Sequence, residues 1–417
     1  MNEQLLLKYA DLILKNGVHL LPGQNLVIRG EPIHWPFINL LAKRAYQIGA
    51  NQIRFDVFHP TAHVYRTLYQ RKEYLPELPT YTQSTVDAYI NEHWARINLE
   101  GSEDPEFFKD ANQENNAVIQ KAASTAMRPV LNASMKGDCT WTIAPVPTPK
   151  WAAKVLKREI ASDSSSESDL VHDYWKVLIP ILRLDHEDPC KAWKEHSNKL
   201  KSRLGILNQM QITHLHYETA DRKTDLTIVL ADDGQWCGGD FSAHDGRPFL
   251  PNIPTEEVFS CPHRLKTRGR VQVTRPVKIF GEEIVGASFT FEEGRVVAFD
   301  AEKGRGLLEK YFAMDENARC LGEVALVDGT SPIYKANLIF DSILLDENAS
   351  CHIALGNGIM SAIRDGARLT PEELKSKGWN SSILHTDFMI GSNDLKITAH
   401  TRSQGSIVIM RDGLFVF

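Results

Sequence analysis

His385 and Asp387 stand one residue apart in the run Asn380-Ser-Ser-Ile-Leu-His-Thr-Asp-Phe-Met-Ile-Gly391. If Ile383–Ile390 is a strand, its period of two sends both side chains to one face, where an imidazole nitrogen and a carboxylate oxygen converge. That is half of a metal site, although a buried histidine bonded to a neighbouring aspartate has the same signature. A second cluster, Asp346-Glu-Asn-Ala-Ser-Cys-His352, sets polar groups between apolar runs, where a cation, or the cap of a helix start, would satisfy them. In Pro254-Thr-Glu-Glu-Val-Phe-Ser260 the adjacent carboxylates of Glu256 and Glu257 face different ways, so at most one enters a given site directly. Thr255 could equally cap a helix whose N-terminus favours those acids. Finally, Glu323 interrupts the apolar run Leu321-Gly-Glu-Val-Ala-Leu-Val327. An acid set in a core strand is paired, coordinated, or on an edge reaching water.

These residues need a scaffold, and the chain offers two textures. Residues 4–16 place Leu5, Tyr9, Leu12 and Ile13 at helical spacing ahead of Gly17. Asn25–Arg29 reads as a strand, 35–49 as a helix and Gln52–Val57 as a strand, which is the grammar of an α/β unit with a parallel sheet. Ala95–Leu99 and Thr140–Ala144 extend the strands, and Ala117–Met127 the helices. Trp151–Met210 reads as a mostly helical connection, broken by an exposed turn at the acidic, serine-rich Ser162–Asp169. Beyond Gln211 short β runs dominate, at Thr224–Leu230, Arg270–Val273, Glu283–Phe291, Arg295–Ala298, Glu323–Val327, Lys396–Ala399 and Ser406–Met410, with helices near Arg305–Met314 and Pro371–Lys377. The expected division is an N-terminal α/β domain over 1–205 and a C-terminal, mainly β domain over 206–417.

Composition narrows the function classes. The 417 residues carry 47 Lys plus Arg against 53 Asp plus Glu, so there is no basic excess to neutralise a nucleic-acid backbone. No apolar run approaches the length of a membrane span, and Glu3 and Asp11 break any secretory pattern at the N-terminus, which leads to the expectation of a cytosolic protein without a membrane partner. The six cysteines are scattered without a C-x-x-C pair and are expected to be reduced thiols.

The sequence resembles the aminopeptidase T and aminopeptidase S family of two-metal metallo-aminopeptidases. The likeness is carried by PTEEVF (254–259), GEVALV (322–327), SPI followed by LIF and DENASCHIALG (331–356), and HTDFMIGS (385–392), in order and with matching spacing. It extends to LLLKYADLILKNGVHLLPGQNLVI near the N-terminus, to APVPTPKWAAKV, and to the Asp188–His196 segment. The resemblance implies metal ligands at Glu257, Glu323, His352, His385 and Asp387, with Glu256 as a supporting group or proton shuttle. Two divalent ions against three carboxylates and a bridging hydroxide would make a neutral centre; the oxygen and imidazole ligands suit Zn²⁺ first, with Co²⁺ or Mn²⁺ as alternatives. It further implies an α/β N-terminal domain, a C-terminal α+β domain whose mainly antiparallel, barrel-like sheet carries the site, and a homodimer whose partner narrows access to it. The implied activity is removal of single N-terminal residues from short peptides. One position departs from the pattern: the family's metal-site tyrosine, seven residues after the first histidine, is Ile359 here. Tyr334 could replace the phenol, the reaction could be slower, the scaffold could hydrolyse a different small amide, or the phenol is auxiliary and its loss is tolerated.

Overall fold

The computed structural model describes residues 3–160, 164–279 and 282–417. The chain forms two compact units: the first comprises Met1–His196 together with Asp240–Pro254, the second Ser197–Gly239 and Thr255–Phe417.

In the first unit four parallel strands, β1 (Leu26–Gly30), β2 (Ile53–Val57), β3 (Ala95–Glu100) and β4 (Trp141–Pro145), lie in the order β2-β1-β3-β4. Helices Trp35–Ile48 and Gln113–Met135 are among those that make the crossovers parallel strands require. The opening helix, Glu3–Leu12, continues as one wide turn to Gly17, as the apolar spacing of 4–16 anticipates. It buries Tyr9, whose ring stacks on Phe37 at 5.4 Å and whose hydroxyl donates to the carbonyl of Pro145 at 2.9 Å, so this helix is pinned to the end of β4. The serine-rich patch departs from expectation: Ser162 and Asp163 lie outside the described residues, and from Ser164 the chain is already a helix running to Ile181. Serine and acidic residues are favourable in a first helical turn as well as in a turn proper, so composition alone does not separate the two.

The second unit holds β5 (Ile212–Glu218), β6 (Asp225–Val229), β7 (Glu257–Ser260), β8 (Arg268–Gln272), β9 (Ser288–Glu292), β10 (Arg295–Asp300), β11 (Leu321–Val327), β12 (His352–Gly356), β13 (His385–Met389), β14 (Lys396–Thr401), β15 (Gly405–Arg411) and β16 (Leu414–Phe415). Eight of them make one antiparallel sheet, in the order β10-β9-β8-β6-β5-β14-β15-β16. The other four form a separate antiparallel sheet, β13-β12-β11-β7. The mainly antiparallel expectation is met, but each sheet runs between two distinct end strands, and all the candidate ligands lie on the small sheet. The two sheets share a core: Leu215, Leu226, Ile228, Val271, Phe289 and Ile397 from the large one meet Val258, Val324, Leu326, Ile353, Leu355 and Phe388 from the small one. Each of these fully buried side chains contributes about 1.5–3 kcal/mol of apolar transfer. That apolar face fixes the small sheet's register, because a slip of one residue would turn the acids into the core. Among the described residues, no helix is long and apolar enough to cross a membrane.

Candidate metal centre

Sheet alternation explains why five polar residues from four distant segments meet. Along β11, Val324 and Leu326 face the core, so Glu323, Ala325 and Val327 face the other way. Opposed residues of an antiparallel pair share a face, and the register sets Glu323, Ala354 and Asp387 in one row, Ala325 beside His352 in the next, and Glu257 beside Val327 beyond it. His385 follows two residues before Asp387 on the same face. The side chains between the ligands are the small Ala325 and Ala354, which leave room above the sheet. Gly356, opposite His385, has φ +111°, and a Cβ there would stand 2.1 Å from the carbonyl of Leu384, so only glycine lets β13 approach.

The ligand-type atoms fall into two groups, each with all atoms within 4.8 Å of one another: Glu257, Glu323 and His352, and Glu323, His385 and Asp387. Glu323 is common to both. His352 Nε2 is 3.2 Å from Glu257 Oε2, and His385 Nε2 is 3.2 Å from Glu323 Oε2 and 3.4 Å from Asp387 Oδ1. Two ligands each about 2.0–2.1 Å from a tetrahedral ion are separated by about 3.3 Å, so this spacing is what a shared cation needs. The second nitrogens are already engaged: Nδ1 of His352 meets the carbonyl of Ser350 at 3.2 Å, and Nδ1 of His385 that of Asn357 at 2.7 Å. Donation to those carbonyls orients each ring and leaves Nε2 to coordinate. Glu257 Oε2 and Asp387 Oδ1 are buried with an imidazole nitrogen as ion-pair partner and no hydrogen bond of good geometry, and a cation would complete their surroundings. The oxygen and imidazole donors, without thiolate, therefore fit divalent metal.

Burial and charge grade across the site. Glu323 is 4% exposed, Glu257 8% and His352 1%, whereas His385 is exposed on the end strand β13. Burial, together with the charges of Glu257 and Asp387, holds the Glu323 carboxyl above the usual range despite the opposing bond from His385. Burial alone would lower His352, but the carboxylate of Glu257, then the charges of Asp387 and Glu323, push it up to about 9. In the absence of metal, protons on the imidazoles stand in for the missing positive charge.

The structure also shows a buried polar link that local spacing does not reveal. Asn348, fully buried, accepts from the backbone N–H of Glu256 at 2.7 Å and donates to the carbonyl of Leu344 at 2.9 Å. It ties the approach to β7 to the segment preceding β12. A lone asparagine in a polar cluster was its only signal, because its partner lies 92 residues away. Asn348→Ala is expected to lower the unfolding temperature, through a loss of about 1–3 kcal/mol, and to weaken metal binding about 10–100-fold. Calorimetric melting and a metal-buffered titration check both, and unchanged affinity would limit Asn348 to a stability role.

Other expectations resolve as follows. Glu257 begins a strand, so Thr255 caps no helix, and Glu323 lies on an inner strand between β12 and β7 rather than on an edge. Asp346 closes the short helix Ile343–Asp346, whose start is capped by Ser342, and accepts from the N–H groups of Phe340 and Ser342. Glu256 is buried but belongs to neither ligand group. Ile359, half-buried, precedes the turn Met360–Ala362, and Tyr334 has its hydroxyl bonded to Asn393. All six cysteines are free thiols.

A fold of this kind, with a carboxylate shared between two groups of buried oxygen and imidazole donors, defines a metallohydrolase class. Residues 2–415 match the family model for thermophilic metalloproteases, M29, and the chain belongs to that family. Among curated proteins it is 35% identical to aminopeptidase 2 of Geobacillus stearothermophilus, covering 100% of this chain and 98% of that one. It is 34% identical to aminopeptidase T of Thermus aquaticus, covering 98% of each. Among solved structures, wild-type AmpT from Thermus thermophilus superposes with a TM-score of 0.90 at 31% identity, with 100% of both chains covered. The resemblance carried by the four sequence motifs is thereby confirmed.

Proposed function

We propose that the chain is a metal-dependent aminopeptidase that releases single residues from the N-termini of short peptides, with two divalent ions, Zn²⁺ by preference and Co²⁺ or Mn²⁺ as alternatives, held by Glu257, Glu323, His352, His385 and Asp387. The observation that carries this reading is Glu323, the one carboxylate common to two adjacent ligand groups, because a pair of cations needs a shared anion between them to sit close together. When bound, such ions polarise the scissile carbonyl and make water a nucleophile at neutral pH. The chain's own groups do the rest. Glu257, Glu323 and Asp387 supply negative charge that compensates the ions, while Ser350 and Asn357 hold the imidazoles in the coordinating tautomer through their carbonyls. Glu256, buried next to a ligand, is assigned to carry a proton to the leaving amine. The reading includes a cytosolic homodimer acting on peptides.

Two tests follow. Glu256→Gln is expected to lower kcat by about 10²–10⁴-fold with metal content unchanged; full kcat in the variant removes the assignment. Leucine and arginine aminoacyl amides should be cleaved at least about 100-fold faster than their N-acetylated forms, since acetylation removes the lone pair through which a free α-amine would bind a metal. Equal rates would sink the amine-anchoring part. The same panel decides the second reading, favoured by Ile359: inactivity on every free aminoacyl amide, with turnover of another amide class, would mean that loss of the phenol redirected the scaffold.

A further inference from the structure

We infer that the solvent face of the large sheet carries a second binding site, separate from the metal centre, for a small phosphate-bearing anion. The side chains of Leu226, Ile228, Val271 and Phe289 point into the core, so alternation sends their neighbours outward. Across the strands the register sets Thr290, Arg270 and Asp225 in one row, and Arg268, Thr227 and His216 in the next. With Arg222 from the turn before β6, these residues other than His216 line a cleft of about 520 Å³, a size suited to a small molecule. Gly269 also lines it and sits opposite the core-facing Leu226; at φ +107° a Cβ there would stand 2.2 Å from the carbonyl of Asp225, so glycine lets the two strands approach.

The charge in this cleft is unbalanced. Asp225, the one carboxylate in the lining, is already paired with His216 at 2.8 Å. Arg270 is held in place by the backbone carbonyl of Arg222, to which its guanidinium donates. The guanidiniums of Arg222 and Arg268 form no ion pair among the described residues. Three guanidiniums around one carboxylate, with the hydroxyls of Thr227 and Thr290 alongside, match a polyvalent oxyanion; guanidinium recognises phosphate in two-point fashion. The limited volume favours a small soluble ligand over an extended anionic surface.

The test is calorimetric titration of the metal-loaded enzyme with inorganic pyrophosphate, and separately with citrate, at constant ionic strength. Arg222→Gln/Arg268→Gln should weaken pyrophosphate binding by about tenfold for each guanidinium removed, while Arg128→Gln, on an exposed helix of the first unit, should leave it unchanged. Both cleft arginines are exposed, so the variant should keep the wild-type circular dichroism spectrum and melting profile. Pyrophosphate also chelates metal, so whatever binding the double variant retains reports the metal centre. Identical isotherms for wild type and double variant overturn the proposal, and so does citrate binding as tightly as pyrophosphate, which would make the site one for polycarboxylates.

Discussion

Glu323→Gln is expected to reduce turnover of aminoacyl amides by about 10³-fold or more and to lower metal content, while the metal-free variant becomes more stable than the metal-free wild type. The activity loss follows from position. Glu323 belongs to both ligand groups, so its removal weakens two cation sites at once, and loss of even a single electrostatic contact at a reacting centre costs about 10²–10³-fold. The stability gain follows from charge: three carboxylates are crowded in the site, and burial with its neighbours' charges already holds Glu323 above its ordinary range. Replacing it with a neutral side chain of the same shape relieves that repulsion. Steady-state kinetics, elemental analysis and thermal unfolding after chelation read the three effects, and His19→Ala and His172→Ala serve as controls that should alter none of them. A fully active Glu323→Gln enzyme would falsify the assignment.

Removing the metal should abolish activity and lower the unfolding temperature by an amount that grows with pH. At free metal about a thousandfold above its dissociation constant, bound ions stabilise the fold by about 4 kcal/mol, roughly 10 °C for a unit of this size. The pH dependence belongs to the metal-free protein. His352 is raised to about 9 there, so its folded-state pKa exceeds the unfolded value. Its contribution is therefore complete below about pH 6.5 and is lost as pH rises toward 9, a change of roughly 3 kcal/mol. The raised Glu323 carboxyl works in the same direction, because its ionised form is the one disfavoured by folding. Unfolding followed from pH 6.5 to 9, with and without chelator, should show the two curves diverging. Parallel curves would mean that His352 is not protonated in the metal-free fold.

The local geometry of this site was largely readable. Alternation in HTDFM put His385 and Asp387 on one face, the acid in GEVALV marked Glu323 as unusual in a core strand, and the helices at Arg305–Met314 and near Pro371 appear where periodicity set them. What could not be read is the partition in space. No local pattern says that β7, β11, β12 and β13 leave the other strands to make a sheet of their own, or that Asp240–Pro254 packs with the first unit, because these depend on pairings across tens to more than a hundred residues. The role of Asn348 was hidden for the same reason. Near Ser164 the failure was different in kind: serines and acids serve turns and helix starts alike, and only the tertiary setting decides between them.

The placement of β13 at the end of its sheet has a kinetic consequence for the proposed two-ion centre. Among the described residues this strand pairs only with β12, and it supplies both His385 and Asp387, so a single local fraying event withdraws two ligands together. The other group is drawn from β7, β11 and β12 and lies in buried surroundings. The two ions would then differ in residence time, one exchanging on the timescale of strand opening and the other only with disruption of the sheet. A preparation carrying one metal per chain would accordingly be a defined species with its outer position vacant, and the choice between Zn²⁺, Co²⁺ and Mn²⁺ at that position would follow the supply of ions in the surroundings more closely than the inner position does.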